Sequence, residues 1–400
     1  MIPKRMIEWG SQGSIIRDLA AFGDRRAQEV GAENVFNFTI GNPSVPAPAC
    51  VAESIQRQLR TVPPQELHAY TPAPGLPAVR EQMAAYLSET FGIPYTAEDL
   101  YLTHGASSAL AIAMQGLLSP GDEVVTLAPF FPEYRAYAEA AGAALVAVPS
   151  LPGSFQLDLP ALERAVNPKT AMLLLNSPNN PSGAILSRES IAAIADLLTR
   201  RSREYEHPIY LLADEPYREL VYSGAEVPFI PSYYPDTLYC YSFSKSLSLP
   251  GERVGFLALT PGMTDYTLVR AGIYGAGRVL GYINVSSLFQ RVCAECMGKT
   301  ADLSVYAENR DVIYQGLTAL GYDCVRPDGA FYLFVAAPDG DSQAFCQKAM
   351  AQDILLVPGD EFGCPGYARL AYCVELDKLR RSLPRFAALA RDYGLTEVQA

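Results

Sequence analysis

Apolar residues in the middle of the chain fall into short blocks, separated by stretches where they recur three and four positions apart. Blocks of four to seven read as buried strands, and the three-and-four spacing reads as amphipathic helices. Leu100–Thr103 predicts a strand. Ser107–Leu118 predicts a helix, with Leu110, Ala113, Met114, Leu117 and Leu118 on one face. Strands follow over Glu123–Leu127, Leu145–Val148, Ala171–Leu175, Ile209–Ala213, Thr237–Tyr241 and Arg253–Leu259. Helices fall between them over Glu133–Ala141, near Leu159–Val166 and near Arg188–Thr199. The alternation predicts an α/β fold, with a mostly parallel sheet flanked by helices.

After about Ser286 the texture changes. A long helical pattern runs to Leu320, strands are expected over Ala330–Val335 and near Ala368–Cys373, and Asp377–Tyr393 reads as a helix. Segregated elements predict a smaller α+β domain. The expected division is a large domain over residues 48–285, with residues 1–47 and 286–400 together forming the small one.

Composition narrows the function classes. The 400 residues carry 43 acids against 31 bases, a net charge of −12 that repels nucleic acid and anionic membrane surfaces. The longest uncharged run, Leu100 to Gly121, is interrupted by His104, Ser107, Ser108 and Gln115, which argues against a bilayer span. The basic residues near the N-terminus are followed by no apolar core of a signal peptide. With no such signal, the eight cysteines are expected as reduced thiols in a cytoplasmic protein. Cys293 and Cys296 form a lone C-x-x-C, and His68, His104 and His207 are scattered, so no metal site is expected.

In open α/β sheets ligands bind beyond the carboxyl ends of the strands, and four strand ends here carry polar residues. After Thr103 the turn Gly105, Ala106, Ser107 opens a helix whose free N–H groups suit a phosphate. After Leu175, N-S-P-N-N-P-S-G presents Asn179 and Asn180 between prolines. Asp214 ends a buried strand in A-D-E-P-Y, with Tyr217 three residues on, and a buried carboxylate requires a partner. Lys245 follows another strand in S-F-S-K-S-L-S-L-P-G-E-R-V-G, flanked by hydroxyls, with Arg253 eight residues later. A lysine so placed is what an enzyme needs to form a Schiff base with an aldehyde cofactor.

The set resembles the class I/II aminotransferases of the fold type I pyridoxal-phosphate enzymes, the branch that includes aspartate aminotransferase. The resemblance runs from I-G-N-P-S near Gly41 to A-R-L-A-Y around Arg369, and its strongest element is the lysine block. The spacings fit as well: 34 residues from Asn180 to Asp214 and 31 from Asp214 to Lys245. The resemblance implies that Lys245 forms the aldimine with pyridoxal 5′-phosphate and that Asp214 keeps the ring nitrogen protonated. It implies that Asn180 and Tyr217 bind the ring's phenolic oxygen and that Phe131 stacks on the ring. Gly105, Ala106, Ser107, Ser242, Ser244 and Arg253 would surround the phosphate. Arg369 would clamp the substrate α-carboxylate, with a backbone group of Gly41 beside it, and Tyr70 would reach the phosphate of the neighbouring subunit in a homodimer with shared active sites.

The implied reaction is a ping-pong transfer of an amino group from an L-amino acid to a 2-oxo acid, with the freed Lys245 amine as general base. The stacking position holds phenylalanine where the aspartate-specific branch has tryptophan, which leaves the donor open. A carbon–sulfur β-lyase shares the fold and cofactor shell and is the alternative. A transcription regulator built on this fold would carry a DNA-binding domain before it, and only about 40 residues precede Gly41. His104 is read as structural rather than as a neighbour of the phosphate. Arg278, 33 residues after Lys245 in a glycine-rich stretch, is the candidate for reading a distal carboxylate across the dimer. The alternative for Arg278 is a structural or solvent-facing loop residue.

Overall fold

The computed structural model describes residues 2–11, 15–222 and 224–396. Its large sheet has seven strands: β1 (Leu100–Thr103), β2 (Glu123–Ala128), β3 (Ala144–Pro149), β4 (Thr170–Asn176), β5 (Tyr210–Asp214), β6 (Thr237–Ser242) and β7 (Gly255–Leu259). They lie in the order β1-β7-β6-β5-β4-β2-β3. All neighbours run parallel except β7, which is antiparallel to both β1 and β6. The fold is the expected α/β arrangement.

Strand alternation explains why these strands read as continuous apolar runs. Val125, Leu173, Leu211 and Tyr239 join a core on one face of the sheet, and Val124, Met172, Leu212 and Cys240 join one on the other. Helices cover both faces, so neither set can be polar. The register also sorts the two acids at the end of β5. Asp214 pairs with Cys240 and shares its face, so the next residue, Glu215, points to the other.

Two expectations need correction. The strand drawn from Arg253 begins only at Gly255, because Arg253 itself has a left-handed backbone, φ 57°. The helical pattern from Ser286 to Leu320 is not one helix but two, Ser287–Glu295 and Leu303–Ala319. The first stops at Cys296, whose N–H bonds the Val292 and Ala294 carbonyls, Gly298, at φ 78°, turns the chain two residues on, and the Asp302 carboxylate caps the second by accepting from the Ser304 N–H. Val292, Cys293 and Cys296 of this region pack into the core of the large sheet, and Ala301 is the first residue beyond them in the small domain's core.

The small domain is built on four antiparallel strands, β8 (Cys324–Val325), β9 (Tyr332–Ala336), β10 (Val357–Pro358) and β11 (Tyr367–Ala371), in the order β10-β11-β9-β8. Helices Leu303–Ala319 and Leu376–Asp392 pack against each other and supply Ile313, Leu317, Leu379 and Phe386 to its core. The N-terminal segment joins it: Phe36–Asn37 pairs in parallel with Ile354–Leu355, and the Ala371 N–H donates to the Phe38 carbonyl. No helix of the described residues is long and apolar enough to cross a membrane.

Candidate active site

A cleft of about 270 Å³ lies over the carboxyl ends of β4, β5 and β6, closed from above by the segment at Ile40–Gly41 and by Tyr332 and Arg369 of the small domain. Ala106, Ser107, Phe131, Asn176, Asn180, Asp214, Tyr217, Ser242, Ser244, Lys245 and Arg253 also line it. All four strand-end motifs thus meet here, brought together with Gly41, Tyr332 and Arg369 from distant parts of the chain.

Asp214 sits at the floor of this cleft. Its Oδ2 accepts from the Tyr134 hydroxyl at 2.5 Å, while its Oδ1, buried, has no partner. Burial raises the carboxyl to about 6, against the Tyr134 hydrogen bond and the neighbouring Cys240 thiol, which lower it. The Asp214 carbonyl accepts from Asn176, whose own Oδ1 accepts from the Asn180 N–H at 2.8 Å. Asn176 therefore ties the loop to the end of β5. Asn179 faces away, donating to the Pro129 carbonyl and capping Ser182.

One end of the cleft is built to hold an anion. Gly105, at φ 79°, starts the helix Ala106–Leu117, leaving its first N–H groups unpaired at the cleft wall. The Ser242 and Ser244 hydroxyls meet at 2.8 Å beside it. Arg253 is held by donation to the Pro250 and His104 carbonyls, at 2.9 and 3.1 Å. A Cβ on Gly105 would stand 2.7 Å from its guanidinium, so glycine is needed there. The His104 ring stays out of the cleft lining, and its imidazole is lowered by burial and by Arg253.

Opposite, the Lys245 Nζ donates to the Gly41 carbonyl at 2.7 Å. Desolvation, aided by Arg253 and Arg369, lowers this amine to about 8, so far more of it is neutral near neutral pH than for an ordinary lysine, though the charged form still predominates at pH 7. Arg369 is buried, donates to Asn180 Oδ1 at 3.0 Å and to the Thr39 carbonyl, and leaves its Nε unpaired. Its guanidinium lies 4.8 Å from the centroids of both Tyr332 and Phe362. No carboxylate of the chain pairs with it among the described residues, so it stands ready for one from a ligand.

Three of the anticipated residues do not line this cleft: Gly105 is buried at the start of its helix, and Tyr70 and Arg278 lie on the surface. Tyr70 is 95% exposed, and Arg278 is exposed in the last turn of a helix, Tyr266–Leu280, rather than in a loop. Phe131 does line the cleft and meets Tyr134 edge-on, with centroids 5.7 Å apart. Sequence reading missed Asn176, Tyr134 and Tyr332. Asn176 stood inside a motif already singled out and Tyr134 three residues after Phe131 in an expected helix, whereas Tyr332 lay in an apolar strand with nothing to mark it.

Known proteins agree with this geometry. The family model of aminotransferase class I and II matches residues 33–386. The aspartate/prephenate aminotransferase of Thermus thermophilus is 32% identical over 88% of this chain and 89% of its own length. A probable N-acetyl-LL-diaminopimelate aminotransferase of Bacillus subtilis is 30% identical over 92% and 93%. Among solved structures, an aminotransferase from Eubacterium rectale superposes with a TM-score of 0.96 at 46% identity, covering 98% of this chain and 99% of that one. The Thermus thermophilus aspartate aminotransferase with maleate gives 0.85 at 28% identity, covering 97% and 100%. With the model spanning most of its length, this chain belongs to the class I and II aminotransferases.

Proposed function

We propose that this aminotransferase holds pyridoxal 5′-phosphate in the cleft, attached through Lys245, and works as a cytoplasmic homodimer by a ping-pong cycle. The observation that carries the reading is the unpaired Oδ1 of Asp214. A buried carboxylate oxygen without a donor is costly, and a protonated pyridine nitrogen supplies that donor and a counter-charge. The rest of the cleft fits the same group. The N-terminus of helix Ala106–Leu117, Ser242, Ser244 and Arg253 suit its phosphate, Phe131 its ring face, and Asn180 and Tyr217 its phenolic oxygen.

When bound, the ring accepts the electron pair left at the substrate Cα as its proton departs. The chain supplies everything else. Arg369 binds the α-carboxylate and fixes the donor beside Lys245. The Lys245 amine would take the α-proton, and its lowered basicity suits a base operating near neutral pH. Asp214 holds charge at the far end, and the burial around it keeps water from weakening that interaction.

The cations lining the cleft are Lys245, Arg253 and Arg369, and each has a task. A distal carboxylate on a donor would therefore need a cation from outside, and Arg278 of a second subunit is the candidate. Five relatives, the Thermus thermophilus enzyme among them, carry aspartate in their names, which supports that reading. The exposed Tyr70, Val279 and Tyr282 support an assembly in which this surface is covered. Eight free cysteines and the net charge of −12 support the cytoplasm.

The test is a half-reaction panel of L-amino acids, read by conversion of the cofactor's absorbance, with wild type and Arg278→Leu. Conversion by a donor with release of its 2-oxo acid is expected. Loss confined to aspartate and glutamate in the variant assigns Arg278 to their distal group, whereas equal loss for all donors removes it. Pyruvate and ammonia released from L-cystathionine, without conversion by any donor, would instead identify a β-lyase.

A further inference from the structure

Tyr332 is buried in β9 and carries no task in the scheme above, yet it touches three groups that do. Its hydroxyl lies 2.9 Å from the Tyr217 hydroxyl. Its ring carries the Arg369 guanidinium 4.8 Å from its centroid. Its hydroxyl also fills the space beside Gly41, so that a Cβ there would overlap it. Gly41 is thus glycine because Tyr332 occupies the position its side chain would need.

We propose that Tyr332 is a positioning residue: it donates its hydroxyl proton to Tyr217, which aims the Tyr217 O–H at the cofactor's phenolic oxygen, and its ring braces Arg369. One side chain of the small domain then links the cofactor end of the cleft to the carboxylate end. The inference rests on the reading that Lys245 carries pyridoxal phosphate and that Tyr217 faces its phenolic oxygen.

The direction of the hydrogen bond follows from the surroundings. Burial raises both phenols, but the Arg369 charge acts most directly on Tyr332, which reaches about 12, while Tyr217 goes well above its ordinary value. The Arg369 charge over the Tyr332 ring favours Tyr332 as the donor, and a Tyr217 proton offered to the phenolic oxygen leaves the Tyr217 hydroxyl only to accept. Tyr217 is then left with one proton and one direction in which to offer it. The other titratable groups in reach are Cys373, which neighbours Tyr332, Arg369 and Lys245, and Asp214, which acts on Tyr217.

The readout is the pH at which the absorbance of the lysine-bound cofactor changes in the holoenzyme. A donor to the phenolic oxygen favours the deprotonated form of the lysine–cofactor link, so weakening that donor moves the titration upward. Tyr332→Phe keeps the ring on Arg369 and should raise the midpoint by about 0.5–1 pH unit, the size of one hydrogen bond of ordinary strength. KM should stay near the wild-type value while kcat falls. Tyr332→Leu, which also removes the ring, should raise KM in addition. Tyr217→Phe should raise the midpoint at least as far, and the double variant Tyr217→Phe/Tyr332→Phe no further than Tyr217→Phe alone.

The affinity of each apoprotein for pyridoxal phosphate, followed by fluorescence of the protein, checks that the cleft is intact. A shift in Tyr217→Phe with none in Tyr332→Phe, or additive shifts in the double variant, would overturn the role of Tyr332. No shift in Tyr217→Phe would overturn the placement of Tyr217 itself, a separate failure.

Discussion

Lys245 Nζ and the Gly41 carbonyl oxygen, 204 residues apart in the chain, meet at 2.7 Å across the mouth of the cleft. The contact holds the amine where desolvation and two arginines bring it down to about 8. Capture of pyridoxal phosphate requires the neutral amine as nucleophile. The rate at which the apoenzyme takes up the cofactor should therefore rise with pH up to about 8 and then level. Stopped-flow absorbance measures it, and a rise continuing beyond pH 10 would mean that the lysine is not perturbed.

Asp214 gives a linkage prediction. Its carboxyl is raised from 3.8 to about 6 in the folded apoprotein, so between those values the native state binds more protons than the unfolded one. Its contribution is most favourable at low pH and is lost as pH rises through about 6. Asp214→Asn, neutral throughout, should gain thermal stability over the wild-type apoprotein between pH 4 and 7. In the holoenzyme the order should reverse if a bound ring nitrogen pairs with the carboxylate, and turnover of the variant should fall sharply. A stability difference that does not vary with pH would show that Asp214 is not desolvated.

On the other face of the sheet, Glu215 is fully buried and pairs with Arg218 at 2.6 Å, while its Oε1 has no partner. Arg218 lies 4.6 and 5.2 Å from the ring centroids of Phe91 and Phe229. Burial already raises Glu215 to about 7 despite the arginine. Arg218→Met fills the space but strands the acid, and such losses cost about 3–5 kcal/mol. Urea unfolding of Arg218→Met at pH 8 should show a loss of that size and a smaller one at pH 5, where Glu215 is protonated. Equal losses at both pH values would rule out the stranded charge as the cause.

Tyr70 predicts complementation. If it completes the site of a neighbouring subunit, Tyr70→Phe and Lys245→Ala lie on opposite chains of one shared site. Mixing the two inactive variants under conditions of subunit exchange should restore part of the activity. No recovery after exchange has been demonstrated by mass would place Tyr70 outside the site.

Most of this architecture was legible because its signals are local. Strands β1, β2, β4, β5 and β6 read correctly since both faces are buried and the residues say so, as at Leu173 and Leu174, while the edge strand β3, with Ala144, Ala147 and Pro149 exposed, read from its apolar run alone. The motif residues Ser107, Asn180, Asp214, Tyr217, Ser242, Ser244 and Lys245 converge because strand ends in a parallel sheet share one edge. What stayed hidden depends on contacts between distant segments. Tyr332 reads as one more apolar residue of a small-domain strand until that strand is folded over Tyr217. The two-residue strands at Cys324–Val325 and Val357–Pro358 are too short to show a period. The helix break near Gly298 was a signal present in the sequence and overridden by the apolar spacing on either side.

Lys245 is the residue on which the proposed chemistry depends. Borohydride reduction of the pyridoxal-phosphate-loaded enzyme, followed by peptide mapping, reads that directly. The adduct should fall on Lys245 alone, and an amino donor added before the reductant should prevent it. An adduct on Lys299 or any other lysine, or labelling of Lys245 that the donor leaves unchanged, would contradict the account.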